Sequence, residues 1–294
     1  MQNYIKITDA MPLNSIGLIT ARDEFMITFD RNEIEKNVKN FATFEGSNEE
    51  LCTKLNIKQK KGWDITKSRK LLANGPQLQN FCNVLYRPFD VRWTYYDRAL
   101  IWSMSQPVMK NFGKKNLSLI TSRMTKGEDF RHVFVSSMIS EVILLSSKTS
   151  NNAYVFPLYV YPDVPSLLSE SECHANFSEE FLKEVSSVLG VKTLPVGRGN
   201  FKDKVGPEDL FYYLYSIFNS VDYRARYNEQ LRKDYPRVPI TSDRDLFWQL
   251  VTMGASLVGM HLLGNNPFDD LITIFEEENK WLLKIGGDKL HECE

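Results

Sequence analysis

Cysteine is scarce and scattered. Cys52, Cys82, Cys173 and Cys293 fit no zinc-ligand spacing and read as reduced thiols of a cytoplasmic protein. None of His132, His174, His261 and His291 has a Cys or His partner at ligand distance in the chain, so no metal site is written in the pattern. No apolar run approaches the ~18 residues that a membrane span needs, and no secretory leader opens the sequence, which reads as soluble. Net charge is nearly absent: 36 basic residues stand against 37 acidic ones, a balance of −1. That argues against a free-standing, high-affinity nucleic-acid binder. A phosphate loop, a Gly-x-Ser-x-Gly elbow and a Gly-rich strand-to-helix turn for an adenosyl cofactor are all missing.

What is plentiful is aromatic area, with 18 Phe and 13 Tyr in 294 residues, and a hydrophobic share of 43% that supports a sizeable core. Charge is uneven in detail. From Asp269 onward eight acidic residues face three lysines, a balance of −5. Between Lys54 and Lys70 seven cations face only Asp64. That run, with Lys60 and Lys61 at its centre, is a candidate phosphate contact, although a solvated basic face is the commoner meaning of such a cluster.

Taken in order, Ser15–Asp30 reads as two short strands around a polar turn at Thr20–Glu24, with Phe25, Ile27 and Phe29 alternating in the second. Asp30 caps a helix through Ile34, Val38 and Phe41, and Ser47 with Glu50 forms a capping box. Thr66 begins a short helix that Gly75-Pro76 stops. In the strand after Arg87-Pro88, the residues Phe89, Val91, Trp93 and Tyr95 share one face, expected to be core. Arg92 and Tyr96 share the other. Arg87 and Asp90 are expected to pair around the turn. Ser105–Phe112 reads as a helical turn or two. Four segments, 116–123, 132–137, 141–147 and 154–162, then read as strands at about ten-residue spacing, which suits a sheet rather than a crossover α/β fold. After a loop-rich stretch with one helix at Ser178–Leu189, the pattern turns helical. Pro207 opens a helix with the stripe Leu210, Leu214, Ile217 and Phe218. A second carries Tyr223, Tyr227 and Leu231, and Asp243 caps a third that runs to Leu262. The fold class is therefore α+β. A β-rich part with N-terminal helices (1–200) is followed by a helical, coupler-like part with an acidic tail (201–294).

Two motifs tempt. Asn265-Asn266-Pro267-Phe268 is similar to the Asn-Pro-Pro-Phe of amino-methyltransferases but lacks a proline and follows a helix instead of a strand. Asp270, Glu278 and Lys280 mimic a metal-dependent nuclease, whose chemistry wants the two halves on neighbouring strands. The run from Leu271 to Ile285 reads with helical spacing, which points these groups along an exposed face.

The chemistry concentrates between Leu85 and Pro162, where two aromatic strands bracket polar loops. Arg and Lys reach guanine edges or phosphates, and Asn reaches adenine. The candidates of this type are Arg123, Lys126, Arg131, Lys148, Asn151 and Asn152, with Arg22 near the start as a further one. For each, an ordinary exposed loop residue is the competing reading. Arg224, Arg226 and Tyr227 read as packing residues.

The segments Tyr86–Asp97, Phe156–Pro162, Pro207–Ile240 and Leu257–Leu263, with Gly254 and Thr20–Phe25, resemble the C-terminal specificity region of type ISP and type IIG single-chain restriction–modification enzymes. The resemblance covers nearly the whole chain. It implies a target recognition domain for double-stranded DNA, coupled through its helical part to an N6-adenine methyltransferase, a nuclease and in some relatives a helicase-type motor. Those parts, with the S-adenosylmethionine and Mg they use, are expected outside this sequence, which needs no cofactor and supplies no catalytic residue. A truncated gene, a fragment or a separate subunit would each account for that. Two other readings stay open: a protein-interaction module that docks a methyltransferase or helicase-type partner, and a stand-alone metal-dependent nuclease.

Overall fold

The computed structural model describes residues 4–58, 62–148, 151–162, 173–264, 273–277, 280–284 and 290–293. Strand β1 (Ser15–Ile16) is short, and the helical turn Asp23–Met26 stands where a second strand was expected. There Phe25, Met26 and Ile27 are all buried in succession while Phe29 is 74% exposed, a pattern that strand alternation cannot satisfy. Helix α1 (Arg31–Thr43) is the one its sequence announces. The Asp30 carboxylate accepts from the Asn32 backbone N–H at 2.7 Å, and Ile34, Val38 and Phe41 are buried. The Ser47–Glu50 capping box also forms. The next helix, Ile65–Leu71, is capped by Asp64 instead of starting at Thr66.

Strands β2 (Phe81–Arg87) and β3 (Asp90–Tyr95) make an antiparallel hairpin. Its expected aromatic core face holds only at one end. Tyr95 is fully buried, but Val91 and Phe89 are 45% and 52% exposed, because the tip runs past the core. Phe89 sits at φ 64°, an unusual conformation for a bulky residue. Its ring is held edge-on against Phe134 and His261, at centroid distances of 5.1 and 5.9 Å. Arg87 and Asp90 do not pair with each other. Arg87 meets Glu141 at 2.7 Å, and Asp90 takes a forked contact from Arg92.

Strands β4 (Ser118–Ser122), β5 (Val133–Ser136) and β6 (Ala153–Pro157) join β1 in one antiparallel sheet, ordered β1-β6-β4-β5. The third expected strand, 141–147, is a turn. The buried Glu141 carboxylate accepts from the Ile143 N–H at 2.7 Å, and that local bond competes with a ladder. Every residue of β4 and β5 is buried. The register places Leu119, Val135 and Phe156 on one face and Ile120, Phe134 and Val155 on the other. The first set packs with the C-terminal helices, the second with α1 and the hairpin. The sheet is therefore a wall between two cores, which is why both faces of β4 and β5 are buried.

Helices α2 (Glu179–Leu189), α3 (Pro207–Asn219), α4 (Val221–Arg226) and α5 (Arg244–His261) follow. The expected single stripe on α3 is replaced by burial of every residue from Pro207 to Ser216, since the sheet and α5 cover it from different sides. Buried phenols keep partners: Tyr213 donates to the Pro239 carbonyl at 2.6 Å, and Tyr215 shares a short bond with His261 Nδ1. Residues before and after position 200 share this core. Ile5–Lys6 pairs with Arg237–Val238, and Ile7, Ala10 and Met11 pack beside Phe211 and Phe247.

The run expected to be an exposed helix after Leu271 contains strands instead: Thr273–Glu277, Lys280–Lys284 and Leu290–Cys293 form a three-stranded antiparallel sheet. Its β-branched and aromatic content outweighs the helical spacing. Asp270 and Glu278 lie outside the described residues, as do Asn265–Phe268.

Candidate nucleic-acid interface at one end of the sheet

Because β4 pairs antiparallel with both β5 and β6, Ser122 stands opposite Ala153 and Thr121 opposite Val133. The connection 123–132 and the end of the connection 137–152 are thereby forced to the same end of the sheet. Arg123, Lys126, Asn151 and Asn152 line one cavity of about 160 Å³ with Met124 and Tyr154. Arg131 lines a second, of about 270 Å³, with Glu128, Asp129, His132 and Leu145. Arg123, Lys126, Arg131, Lys148 and Asn152 are exposed. Asn151 is buried instead, its amide 3.4 Å from Glu128 Oε1 and 3.5 Å from His132 Nε2.

Glu128 is the residue that sequence reasoning passed over. Its carboxylate accepts from Ser146 Oγ at 2.7 Å and from His132 Nε2 at 3.0 Å as well as from Asn151, so one anion ties both connections together. The signal was present as a Glu–His pair four residues apart, but in a loop that spacing carries no meaning until the fold closes it.

The Arg131 backbone N–H points at His132 Nδ1 at 3.3 Å, so Nδ1 accepts and the proton resides on Nε2, facing Glu128. Burial holds the His132 pKa below its ordinary 6.5, and the nearby Glu128 offsets this only in part. His261 is lowered likewise by burial and by Arg224. As pH falls below about 6.5 the unfolded chain takes up protons that these folded imidazoles resist, so stability present at higher pH is lost on acidification. His132→Gln is expected to show a smaller drop in melting temperature between pH 7.5 and 5.5 than the parent. Parallel profiles would refute the assignment of His132 to that loss.

Arg22 is not part of this surface. It is 5% exposed, bonds the Thr20 carbonyl at 3.0 Å and the Leu100 carbonyl, and lies 3.7 Å over the Trp63 ring. Burial lowers its pKa to about 10. A guanidinium enclosed in this way is packed into the N-terminal core and is not displayed beside the sheet-end loops. Trp63 is half-buried beneath it and donates to the Ala99 carbonyl at 3.1 Å. Lys60 and Lys61 lie outside the described residues.

The helical part borders the same site. The Thr125 N–H donates to the Arg232 carbonyl at 3.3 Å, Asn228 Nδ2 donates to Asp129 Oδ1 at 3.1 Å, and Tyr154 meets Tyr235 edge-on at 5.1 Å. Among the described residues no group of three or more His, Cys, Asp or Glu could hold a metal ion, and no helix is long and apolar enough to cross a membrane.

The model of a family described as the Type ISP C-terminal specificity domain matches residues 9–284. Solved structures share the fold. The ATP-dependent Type ISP restriction-modification enzyme LlaBIII bound to DNA aligns at TM-score 0.66 and 20% identity, over 94% of this chain and 17% of that one. A cryo-EM structure of a DrdV–DNA complex aligns at 0.62 and 20%, over 85% and 23%. A nuclease-deletion mutant of the Type ISP enzyme LlaGI, in complex with a DNA substrate mimic, aligns at 0.58 and 21%, over 88% and 19%. The chain thus spans less than a quarter of the length of each of these proteins. No curated protein matches it.

Proposed function

From the premise that the chain belongs to the Type ISP C-terminal specificity domain family, we propose that it reads a short sequence in duplex DNA and acts as the specificity part of a restriction–modification enzyme. The observation that carries this is the convergence of Arg123, Lys126, Arg131 and Asn152 on two adjoining cavities at one sheet end, with their loops fastened by Glu128. Forked and amide donors on a braced edge are what base reading requires, since a loose loop loses discrimination to conformational entropy. Lys148, exposed on the same connection, contributes a phosphate contact. Asn151 acts through the knot and positions its neighbours. Lys60 and Lys61 remain proposed backbone contacts on the strength of their charge.

Methyl transfer to the N6 of adenine and strand cleavage belong, on this reading, to polypeptide beyond this chain, along with the S-adenosylmethionine and Mg they use. The solved relatives are several-fold longer than the portion that matches, and LlaBIII and LlaGI are restriction-modification enzymes. The reader's near-neutral charge fits such a division, because a larger assembly can draw most of its sequence-independent attraction from elsewhere.

The test is selection of duplexes from a randomised pool by the full chain at about 50 mM salt, followed by titration of the enriched sequence. A short asymmetric motif is expected, over a weak background of micromolar order typical of non-specific binding. Retention of no duplex at all overturns the reading.

A further inference from the structure

Charge that is balanced over the chain is not balanced in space. Residues 224–237 carry five cations (Arg224, Arg226, Arg232, Lys233, Arg237) and two carboxylates, Glu229 and Asp234. Asp234 is already engaged by Lys6 at 2.7 Å and stands 4.0 Å from Arg237. Arg232 and Lys233 are exposed, immediately after the short helix Asn228–Leu231.

Their position is fixed relative to the loops described above. The Arg232 carbonyl receives the Thr125 N–H, Asn228 holds Asp129, and Tyr235 packs on Tyr154. The first two bonds bridge about a hundred residues of sequence, so the segment and the 123–132 connection form one surface. Like charges also meet across it: Arg131 acts electrostatically on Arg224. Such an accumulation of positive charge costs energy in the free protein and is relieved by a polyanion.

We propose that Arg232 and Lys233 form a second arm of the interface that grips the phosphate backbone, beside connections whose side chains face the base edges. This rests on the duplex-reading function proposed above and adds a division of labour. A single flexible charge makes a register contact without reading sequence, and Arg232 and Lys233, which line neither cavity, are of that kind. The loop side chains inside the cavities, braced by Glu128, are the ones held well enough to discriminate.

The experiment titrates the full chain against two fluorescein-labelled duplexes of about 30 base pairs, one carrying the enriched motif and one scrambled, from 50 to 200 mM NaCl. For Arg232→Ala/Lys233→Ala the slope of log affinity against log salt is expected to fall by about 2, one unit per lost phosphate contact. Affinity for both duplexes should drop by the same factor, roughly tenfold or more at 0.1 M salt. The charge-retaining Arg232→Lys/Lys233→Arg pair should restore the slope. Because Thr125 bonds the backbone carbonyl of residue 232, the alanine pair should melt at the parent temperature, which separates lost contact from lost fold. An unchanged slope in the alanine pair, alongside weakened binding by Arg123→Ala/Lys126→Ala, overturns the arm and leaves the reader standing. A loss confined to the motif duplex also overturns it, since that signature belongs to base contacts. Failure of the parent to bind either duplex overturns both.

Discussion

Gly254→Ala is expected to destabilise the protein by about 3 kcal/mol, whereas Gly259→Ala, five residues along the same helix, leaves stability equal or higher. A Cβ built on Gly254 would lie 1.9 Å from the backbone oxygen of Tyr212 and 2.6 Å from its carbonyl carbon. The obstacle is the main chain of α3, which no rotamer change can move, so α3 and α5 must separate. Separation opens the core that holds Phe211, Phe247 and Val251. The helix-propensity gain of alanine over glycine, about 1 kcal/mol, is too small to offset this. At Gly259 nothing lies within 4 Å, so that gain is unopposed. Urea midpoints of the two variants decide the matter, and equal midpoints would falsify the close-approach account.

The second large effect concerns recognition. Arg123→Ala/Lys126→Ala is expected to weaken binding of the enriched motif by at least about thirtyfold relative to a scrambled duplex, on the basis of roughly 1–3 kcal/mol for each bidentate base contact. Both side chains are exposed at the mouth of one cavity, and neither carries a core contact that the fold needs. Arg22→Ala should behave in the opposite way. It removes a guanidinium packed over Trp63 and two backbone contacts, so the melting temperature falls while motif preference among folded molecules is kept. Binding preference measured by competition, together with thermal unfolding of both variants, separates a reader from a core residue. Loss of preference in the Arg22 variant without loss of stability would reverse the two assignments.

Legibility from sequence differed by element for physical reasons. Elements whose stability is local were readable: the Asp30, Ser47 and Asp243 caps, α1 with its buried stripe, and α2 from Ser178. Each depends on bonds within four residues, so the sequence window contains the whole cause. Segments 141–147 and 25–29, and the burial of Arg22, were not foreseen because buried surroundings decide them: Arg87 and the Ile143 N–H for Glu141, the successive burial of Phe25, Met26 and Ile27, and Leu100 and Trp63 for Arg22. Helix α3 was read as amphipathic, since nothing in its own residues tells that it would be covered from two sides. The connection 123–132 and residues 151–152 were expected to lie in loops, but the pairing of β4 with both β5 and β6 was needed to show that they share one end.

The residues alone determined the α+β class, the helix starts, the aromatic strands and the reservoir of cationic and amide side chains, all consequences of short-range propensity and spacing. Tertiary structure decided which of those side chains meet. Antiparallel pairing brought residues 123–132 and 151–152 together, Glu128 locked them, and a carbonyl at position 232 drew a second basic segment alongside. The physical reason is that the contacts that make the surface join residues tens to a hundred positions apart, and local propensity carries no information about which distant partners burial will select.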